Sequence, residues 1–249
     1  RDPSQVLNTK LFLSVGHDEY WSGEQRANVE AARDAGVNLA FWSGNEVYWK
    51  TRWETSVDGS GTPYRTLVTY KETWGDRTDP SNVGTGTWRD PRFADPGQKP
   101  ENALTGTMFT VDAYRLDTIT IPYDYSNLRF WRNTDVADLQ QGQTYELVQN
   151  LLGYEWNSDV DNGFRPAGLI NLSLSTVAVD TYLRDYGTSV GPATAQHSLT
   201  MYRATSGALV FSAGTVYWSW GLDENHDNEP TPTDPNVQQA MINLFADMG

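Results

Sequence analysis

The amino-acid sequence predicts an α/β fold, and three observations lead to this prediction. An apolar run at Lys10–Val15 is typical of a buried parallel strand. A capped helix and a second apolar run, Val37–Trp42, follow it directly. Another capped helix closes the sequence, and strand-like segments fill much of the region between. We therefore expect a mostly parallel sheet with a strand-rich insertion, within a single domain over residues 1–249.

The first strand, the helix and the second strand form a predicted βαβ unit. Ser22 is a favoured helix N-cap, and Gln25 three residues later completes a capping box. Gly36 is the residue type favoured just past a helix C-terminus. The helix therefore lies between these signals and connects two parallel strands of one sheet.

Chemically active side chains are concentrated directly after these two strands. Ligands of open α/β sheets bind at the carboxyl ends of the strands. This edge of the sheet is therefore the predicted functional site. Its polar residues are His17, Asp18, Glu19, Asn45 and Glu46.

The middle of the chain is predicted to contain strands and one long loop. Tyr64–Lys71 alternates as a strand does, and Gln149–Trp156 is a further strand that ends in an acidic loop. Residues 72–101 are rich in Gly, Pro, Asp and Thr. A loop of this length inside a compact domain is usually functional, so we expect it to wrap over a site. Other predicted strands lie within residues 104–121, 169–179, 197–202 and 208–211.

The last element is a predicted helix. Asp234 is its N-cap, and Pro235 occupies its first position, where the missing N–H of proline costs nothing. Apolar residues then recur on one helical stripe, which should pack on the sheet. The stripe consists of Val237, Met241, Leu244, Phe245 and Met248.

Composition restricts the classes of partner. The 32 acidic and 18 basic residues give a net charge of -14, which argues against nucleic acid and anionic membranes. No apolar run reaches the roughly 20 residues that a membrane-spanning helix needs. Cysteine is absent, so disulfides and thiolate metal sites are excluded. Ten Trp and thirteen Tyr, with many Asn, Thr and Gly, lead us to expect an extracellular protein.

Three motifs carry a family resemblance. They are Gly-His-Asp-Glu-Tyr-Trp at 16–21, Ser-Gly-Asn-Glu-Val-Tyr-Trp at 43–49 and Gly-Tyr-Glu-Trp at 153–156. In this order and spacing the chain resembles the C-terminal catalytic region of the N,N-dimethylformamidase large (beta) subunit family. The resemblance covers most of the chain. It implies a glutamine-amidotransferase-like (flavodoxin-like) core and a mononuclear iron centre that hydrolyses carbon–nitrogen bonds in small amides.

The resemblance also implies roles for particular residues. In that family two tyrosines and one glutamate hold the iron, an all-oxygen set that suits a hard ferric ion. The glutamate corresponds to Glu19. Other site residues of the family correspond to His17, Asn45, Glu155 and Lys71, with Lys50 as the alternative lysine.

These correspondences suggest a separate chemical role for each residue of the site. Glu155, beside Trp156, would act as the general base that takes the proton of water. Asn45 would donate a hydrogen bond to the developing oxyanion. His17 would protonate the leaving amine or fix Glu19.

One feature departs from the family. The two tyrosine ligands of the family lie well upstream of the His-x-Glu motif, whereas this chain has sixteen residues before His17 and none is tyrosine. We therefore expect the chain to be the C-terminal part of a longer protein. An N-terminal fragment or second subunit would supply the tyrosines, or this chain would bind no iron.

Other interpretations of the same residues stay open. Glu19 also suits a carboxylate that stabilises the N-terminus of the helix at Ser22, and Asn45 suits a turn residue that tolerates left-handed backbone. A second class of function is a carbohydrate-active or carbohydrate-binding module, with Glu19 and Glu155 as acid and base. Its stacking platforms would be Trp42, Trp49, Trp53 and Trp74. A third class is a non-catalytic remnant of the family.

Overall fold

The computed structural model describes residues 2–93, 98–227 and 230–249, and it has a mixed α/β structure in which strands outnumber helices. The α-helices are α1 (Pro3–Leu7), α2 (Gly23–Asp34), α3 (Asn102–Thr105), α4 (Tyr123–Ser126) and α5 (Pro235–Met248). The first strands are β1 (Leu11–His17), β2 (Tyr20–Ser22), β3 (Asn38–Gly44), β4 (Trp49–Glu54), β5 (Thr66–Val68), β6 (Met108–Asp112) and β7 (Thr120–Pro122). The later strands are β8 (Thr144–Glu146), β9 (Glu155–Ser158), β10 (Ile170–Asn171), β11 (Ser175–Arg184), β12 (Ser189–His197), β13 (Thr200–Arg203) and β14 (Leu209–Ser212).

The largest sheet has the strand order β1-β3-β14-β13-β10. β1, β3 and β14 run parallel, whereas β13 and β10 pair antiparallel with their neighbours. The sheet is therefore mixed, and the prediction of a mostly parallel sheet is wrong in this respect. The physical reason lies in the connection of residues 204–208 between β13 and β14, because a link this short closes a hairpin and cannot form a parallel crossover.

Three smaller sheets surround it. β12, β11, β6 and β9 form an antiparallel sheet in that order. β2, β4 and β5 form a third sheet, in which β2 pairs parallel with β4. β7 and β8 form a two-stranded pair. The strand-rich character that the sequence predicts for the middle of the chain is confirmed.

The predicted βαβ unit is confirmed in detail. β1 and β3 are parallel neighbours in register from Leu11 opposite Asn38 to His17 opposite Gly44. The Ser22 hydroxyl accepts a hydrogen bond from the Gln25 N–H at 3.2 Å, so the N-cap forms as expected. The backbone ends of β1 and β3 therefore lie side by side at one edge.

The five-stranded sheet packs on both faces, which explains why its central strands are buried almost throughout. On one face Phe41 belongs to a cluster with Val29 of α2. On the other face Phe211 belongs to a cluster with Val237 and Leu244 of α5. The sheet is therefore the middle layer between the two longest helices.

Several local predictions need correction. The strand expected at Tyr64–Lys71 is limited to Thr66–Val68. The strand expected at Gln149–Trp156 begins only at Glu155, so this residue starts a strand and does not end one. Within residues 72–93 and 98–101 the long loop holds one 3₁₀ turn, Glu72–Trp74, and an isolated bridge; residues 94–97 lie outside the described part.

The final helix largely follows its prediction. Asp234 caps α5 by accepting a hydrogen bond from the Asn236 N–H at 2.8 Å, and Pro235 is its first residue. Val237 and Leu244 are buried as expected, but Phe245 is 39% exposed. Within residues 2–93, 98–227 and 230–249, no helix has both the length and the apolar character that a membrane crossing requires.

Candidate active site

The edge where β1 and β3 end borders a cavity of about 540 Å³. Its walls come from the segments after β1 and β3, from the neighbouring ends of β6 and β9, and from the hairpin between β11 and β12. Four of the five residues to which the family resemblance assigns a role line it, although they are scattered over more than half of the chain. These four are Glu19, Asn45, Lys71 and Glu155.

Glu19 is held by the second motif of the chain. Its backbone carbonyl accepts hydrogen bonds from the N–H groups of Tyr48 at 3.0 Å and Trp49 at 2.9 Å. Burial raises the pKa of Glu19, the negative charge of Glu155 raises it further, and Lys71 opposes both effects. Glu19 is therefore a desolvated carboxylate in a cavity with excess negative charge, which favours a cation beside it.

The fifth of these residues, His17, is not among the residues that line the cavity and lies beside Glu155. Its Nδ1 is 3.0 Å from Glu155 Oε2, and its Nε2 is 2.9 Å from the Tyr154 hydroxyl. The hydrogen bond with Glu155 raises the pKa of His17. Both ring nitrogens of His17 therefore have partners, and the Nδ1 contact links it to Glu155.

Asn45 stands at the tip of the loop that follows β3. It adopts left-handed backbone with φ 50°, a conformation that asparagine tolerates better than most residues. Its N–H donates to the side-chain oxygen of Asn157 at 2.9 Å. Asn45 is 2% exposed, and its amide oxygen has no hydrogen-bond partner among the described residues. An unpaired buried amide next to a cavity is typical of a ligand-binding group.

The next residue, Glu46, is completely buried and supports the loop. It accepts hydrogen bonds from Asn157 Nδ2 at 3.0 Å and from the Ser212 hydroxyl at 3.3 Å. Burial raises the pKa of Glu46 to about 8. Glu46 is therefore a buried structural residue and is not among the residues that line the cavity.

Gly44 brings the loop into direct contact with the backbone of Glu155 and with the backbone at Thr215 and Val216. A Cβ atom at position 44 would lie 2.8 Å from the Glu155 carbonyl oxygen and 2.9 Å from both Thr215 Cα and Val216 N. All three neighbours are backbone atoms, which cannot move aside as a flexible side chain can. The position therefore requires glycine.

Lys71 places its ammonium group among aromatic rings. Its Nζ lies 5.1 Å from the ring centroid of Tyr20, 5.0 Å from that of Trp49 and 5.6 Å from that of Trp74. These distances suit cation–π attraction. The alternative lysine, Lys50, lines a different groove, where its Nζ donates to a backbone carbonyl at 3.0 Å. Of the two lysines, the structure brings Lys71 to the cavity.

The tryptophans proposed as sugar platforms do not share one surface. Trp49 and Trp74 line the cavity, and Trp74 donates from its indole to the Gly187 carbonyl at 2.9 Å. Trp42 packs against Phe245 of α5 with ring centroids 5.7 Å apart. Trp53 lies on other grooves. The expected four-tryptophan platform is therefore absent from the described structure.

Some residues of the site escaped the sequence analysis. Asp112 lines the cavity at the end of β6, Asn157 holds the loop after β3, and Tyr154 pairs with His17. Tyr154 belongs to the third motif, so the sequence contained a signal from which its place at the site could have been predicted. Asp112 and Asn157 depend on the pairing of β6 with β9, which no local pattern reveals.

A model of the family described as N,N-dimethylformamidase beta subunit-like, C-terminal, matches residues 1–229. The chain belongs to this family. The match confirms the resemblance drawn from the three motifs of this dimethylformamidase-like chain. A comparison with curated proteins returned no match.

The iron that this dimethylformamidase-like family implies can be tested against the donor groups. Glu19 offers one hard oxygen ligand in a cavity that favours a cation. Within the described residues, however, no group of three or more His, Asp or Glu side chains is arranged to hold a metal ion. The described donors therefore fit an iron site in part, as one carboxylate ligand.

Proposed function

We propose that the chain is the catalytic part of a hydrolase that cleaves carbon–nitrogen bonds in amides. The observation that carries this proposal is the meeting of Glu19, Asn45, Lys71 and Glu155 in one cavity of a dimethylformamidase-like chain. We also infer that β1, β3 and β14, packed between α2 and α5, correspond to a glutamine-amidotransferase-like core. The mixed sheet restricts that correspondence to its parallel part.

Glu155 is the general base of the proposed reaction. Its carboxylate lines the cavity and is oriented by His17, which has its own second partner in Tyr154. It takes a proton from the attacking water as the water oxygen bonds to the amide carbon, and the proton then goes to the leaving nitrogen. The carbon–nitrogen bond breaks, which yields a carboxylic acid and an amine.

Asn45 and Lys71 act on the carbonyl oxygen. Asn45 donates from its side-chain amide to the negative charge that develops there, and the loop contacts of Asn157 and Gly44 fix its position. The Lys71 ammonium adds positive charge to the same cavity, held by the surrounding rings. Groups that are held in place before the reaction need not reorganise as the charge develops.

Glu19 is the proposed iron ligand, with tyrosine ligands supplied by an N-terminal fragment or second subunit. The ferric ion, when bound, would polarise the amide carbonyl and acidify a water molecule. The backbone of Glu19 is held in place because its carbonyl accepts hydrogen bonds from the N–H groups of Tyr48 and Trp49. The family name refers to a beta subunit, which supports a second subunit in the assembly.

The test is release of amine from a panel of amides by the protein purified together with the N-terminal fragment or second subunit and supplied with ferric ion, with metal analysis of the same sample. Glu155→Gln should lower kcat by about 10²- to 10⁴-fold, the usual contribution of a general base. Glu146→Gln is the matched control, because Glu146 is exposed on β8 away from the cavity. Equal rates for Glu155→Gln and the wild type would overturn the proposed role.

A further inference from the structure

Two carboxylates stand directly opposite each other in the wall of the cavity. Asp112 ends β6, Glu155 begins β9, and the two are register partners in the antiparallel pair. Both line the cavity, so both side chains face the same space. Directly opposed like charges destabilise a sheet, whereas a cation placed between them reverses the effect. Burial and the charge of Glu155 raise the pKa of Asp112 accordingly.

The two carboxylates differ in their partners. Glu155 has His17 at 3.0 Å. The carboxylate of Asp112 has no ion pair or hydrogen bond within the described residues. Thr181 donates a hydrogen bond to the backbone carbonyl of Asp112 and not to its carboxylate. Asp112 is thus a half-buried anion that faces a cavity without a cationic partner from the described chain.

Two buried polar groups give an independent indication of a ligand. The amide oxygen of Asn45 and the hydroxyl of Tyr48 have no partners within the described chain, and both residues line the same cavity. Asn45 is 2% exposed and Tyr48 is 1% exposed. Buried polar atoms of this kind normally have a hydrogen-bond partner. The Asn45 oxygen and the carboxylates are acceptors, and the Tyr48 hydroxyl can accept as well as donate, so a molecule rich in N–H donors would satisfy them.

The charges separate the cavity into two ends. Lys71 lies among the rings of Tyr20, Trp49 and Trp74, whereas Asp112 stands beside Glu155 as its register partner. The cavity therefore has a mixed-charge end with Lys71 and an acidic end with Glu155 and Asp112. A substrate amide at the first end and Glu155 would extend toward Asp112 at the other.

We propose that the substrate is an amide that also carries a positively charged amino group, and that Asp112 is the residue that binds this group. The inference rests on the proposed amide hydrolysis and names its substrate class. The cavity volume of about 540 Å³ lies within the usual range for small-molecule pockets, and it is much larger than the volume of a formamide. Phe109 and Tyr114, which line the cavity with Asp112, add aromatic surface that suits a cationic arm.

The experiment compares two amides of equal chain length, one ending in a primary ammonium group and the other in a methyl group. Binding of each is measured by titration calorimetry, and hydrolysis is measured by amine release. The wild type should prefer the ammonium amide in both assays. Asp112→Asn should reduce this preference by about tenfold, the loss expected for one charge-assisted contact. Asp180→Asn, an exposed aspartate of β11 outside the cavity, should keep the full preference.

The outcomes separate this inference from the proposed function. Hydrolysis of both amides with equal efficiency would overturn the inference and leave the hydrolase intact. Selective, Asp112-dependent binding of the ammonium amide without hydrolysis would support the inference and count against the hydrolase. A preference that Asp112→Asn leaves unchanged would also overturn the inference.

Discussion

Replacing Glu46 with Gln should change how the stability of the protein depends on pH. Glu46 is completely buried, accepts hydrogen bonds from Asn157 and Ser212, and has a pKa raised from 4.5 to about 8 by burial. In the unfolded chain its pKa returns to the ordinary value. Between these two values the folded protein holds a proton that the unfolded chain has released. The free energy of unfolding therefore falls as the pH rises from about 4.5 to about 8.

The size of the effect follows from the shift. Each pKa unit corresponds to about 1.4 kcal/mol, so a shift from 4.5 to about 8 corresponds to about 5 kcal/mol at most. Glutamine keeps the shape and the acceptor oxygen of the protonated carboxyl, but it cannot ionise. Glu46→Gln should therefore match the wild type near pH 4 and exceed its stability by several kcal/mol near pH 9.

The assay is urea unfolding followed by tryptophan fluorescence over this pH range. Other titrating groups are the same in both proteins, so the difference between the two curves reports Glu46 alone. In Glu146→Gln, which changes an exposed glutamate, the free energy of unfolding should depend on pH as it does in the wild type. A difference between Glu46→Gln and the wild type that stays constant from pH 4 to pH 9 would refute the reasoning.

Two further predictions concern the contacts around the cavity. Glu155→Gln should lower the pKa of His17, measured by NMR titration, because the raised value comes first from the hydrogen bond between them; an unchanged pKa would contradict the pairing. The stability that this pair provides is present below the ordinary histidine pKa and is lost as the pH rises through the raised one. Asn157→Ala removes three buried hydrogen bonds and should lower the free energy of unfolding by about 3 kcal/mol in denaturant titrations. Asn127→Ala, at an exposed position, should change it by less than about 0.5 kcal/mol, and equal losses in the two variants would count against the role of Asn157.

Local signals in the sequence predict the ends of elements well. Ser22 with Gln25 and Asp234 with Pro235 mark helix starts that the structure reproduces, because a cap satisfies backbone donors within one turn. The position of Glu19 and Asn45 at one edge also follows, since two apolar runs around a helix form parallel neighbours.

Features set by distant pairing could not be predicted. The opposition of Asp112 and Glu155 depends on the register of β6 against β9, whose residues are far apart in the chain. The burial of Glu46 depends on Asn157 and Ser212 from two other strands. Each of these contacts is fixed by tertiary packing, and the residues themselves carry no local trace of their partners.

The contact at Gly44 bears on how relatives of this protein can diverge. Backbone contacts backbone there, so substitutions of the surrounding side chains do not change the distance between the Asn45 loop and the segment that carries Glu155. Wall residues such as Tyr114 or Val190 can be exchanged, and the molecules accepted can change, while the amide and the carboxylate keep their separation. The same contact prevents a gradual change of that distance by single substitutions at position 44, because even one added methyl group requires both backbone segments to shift at once.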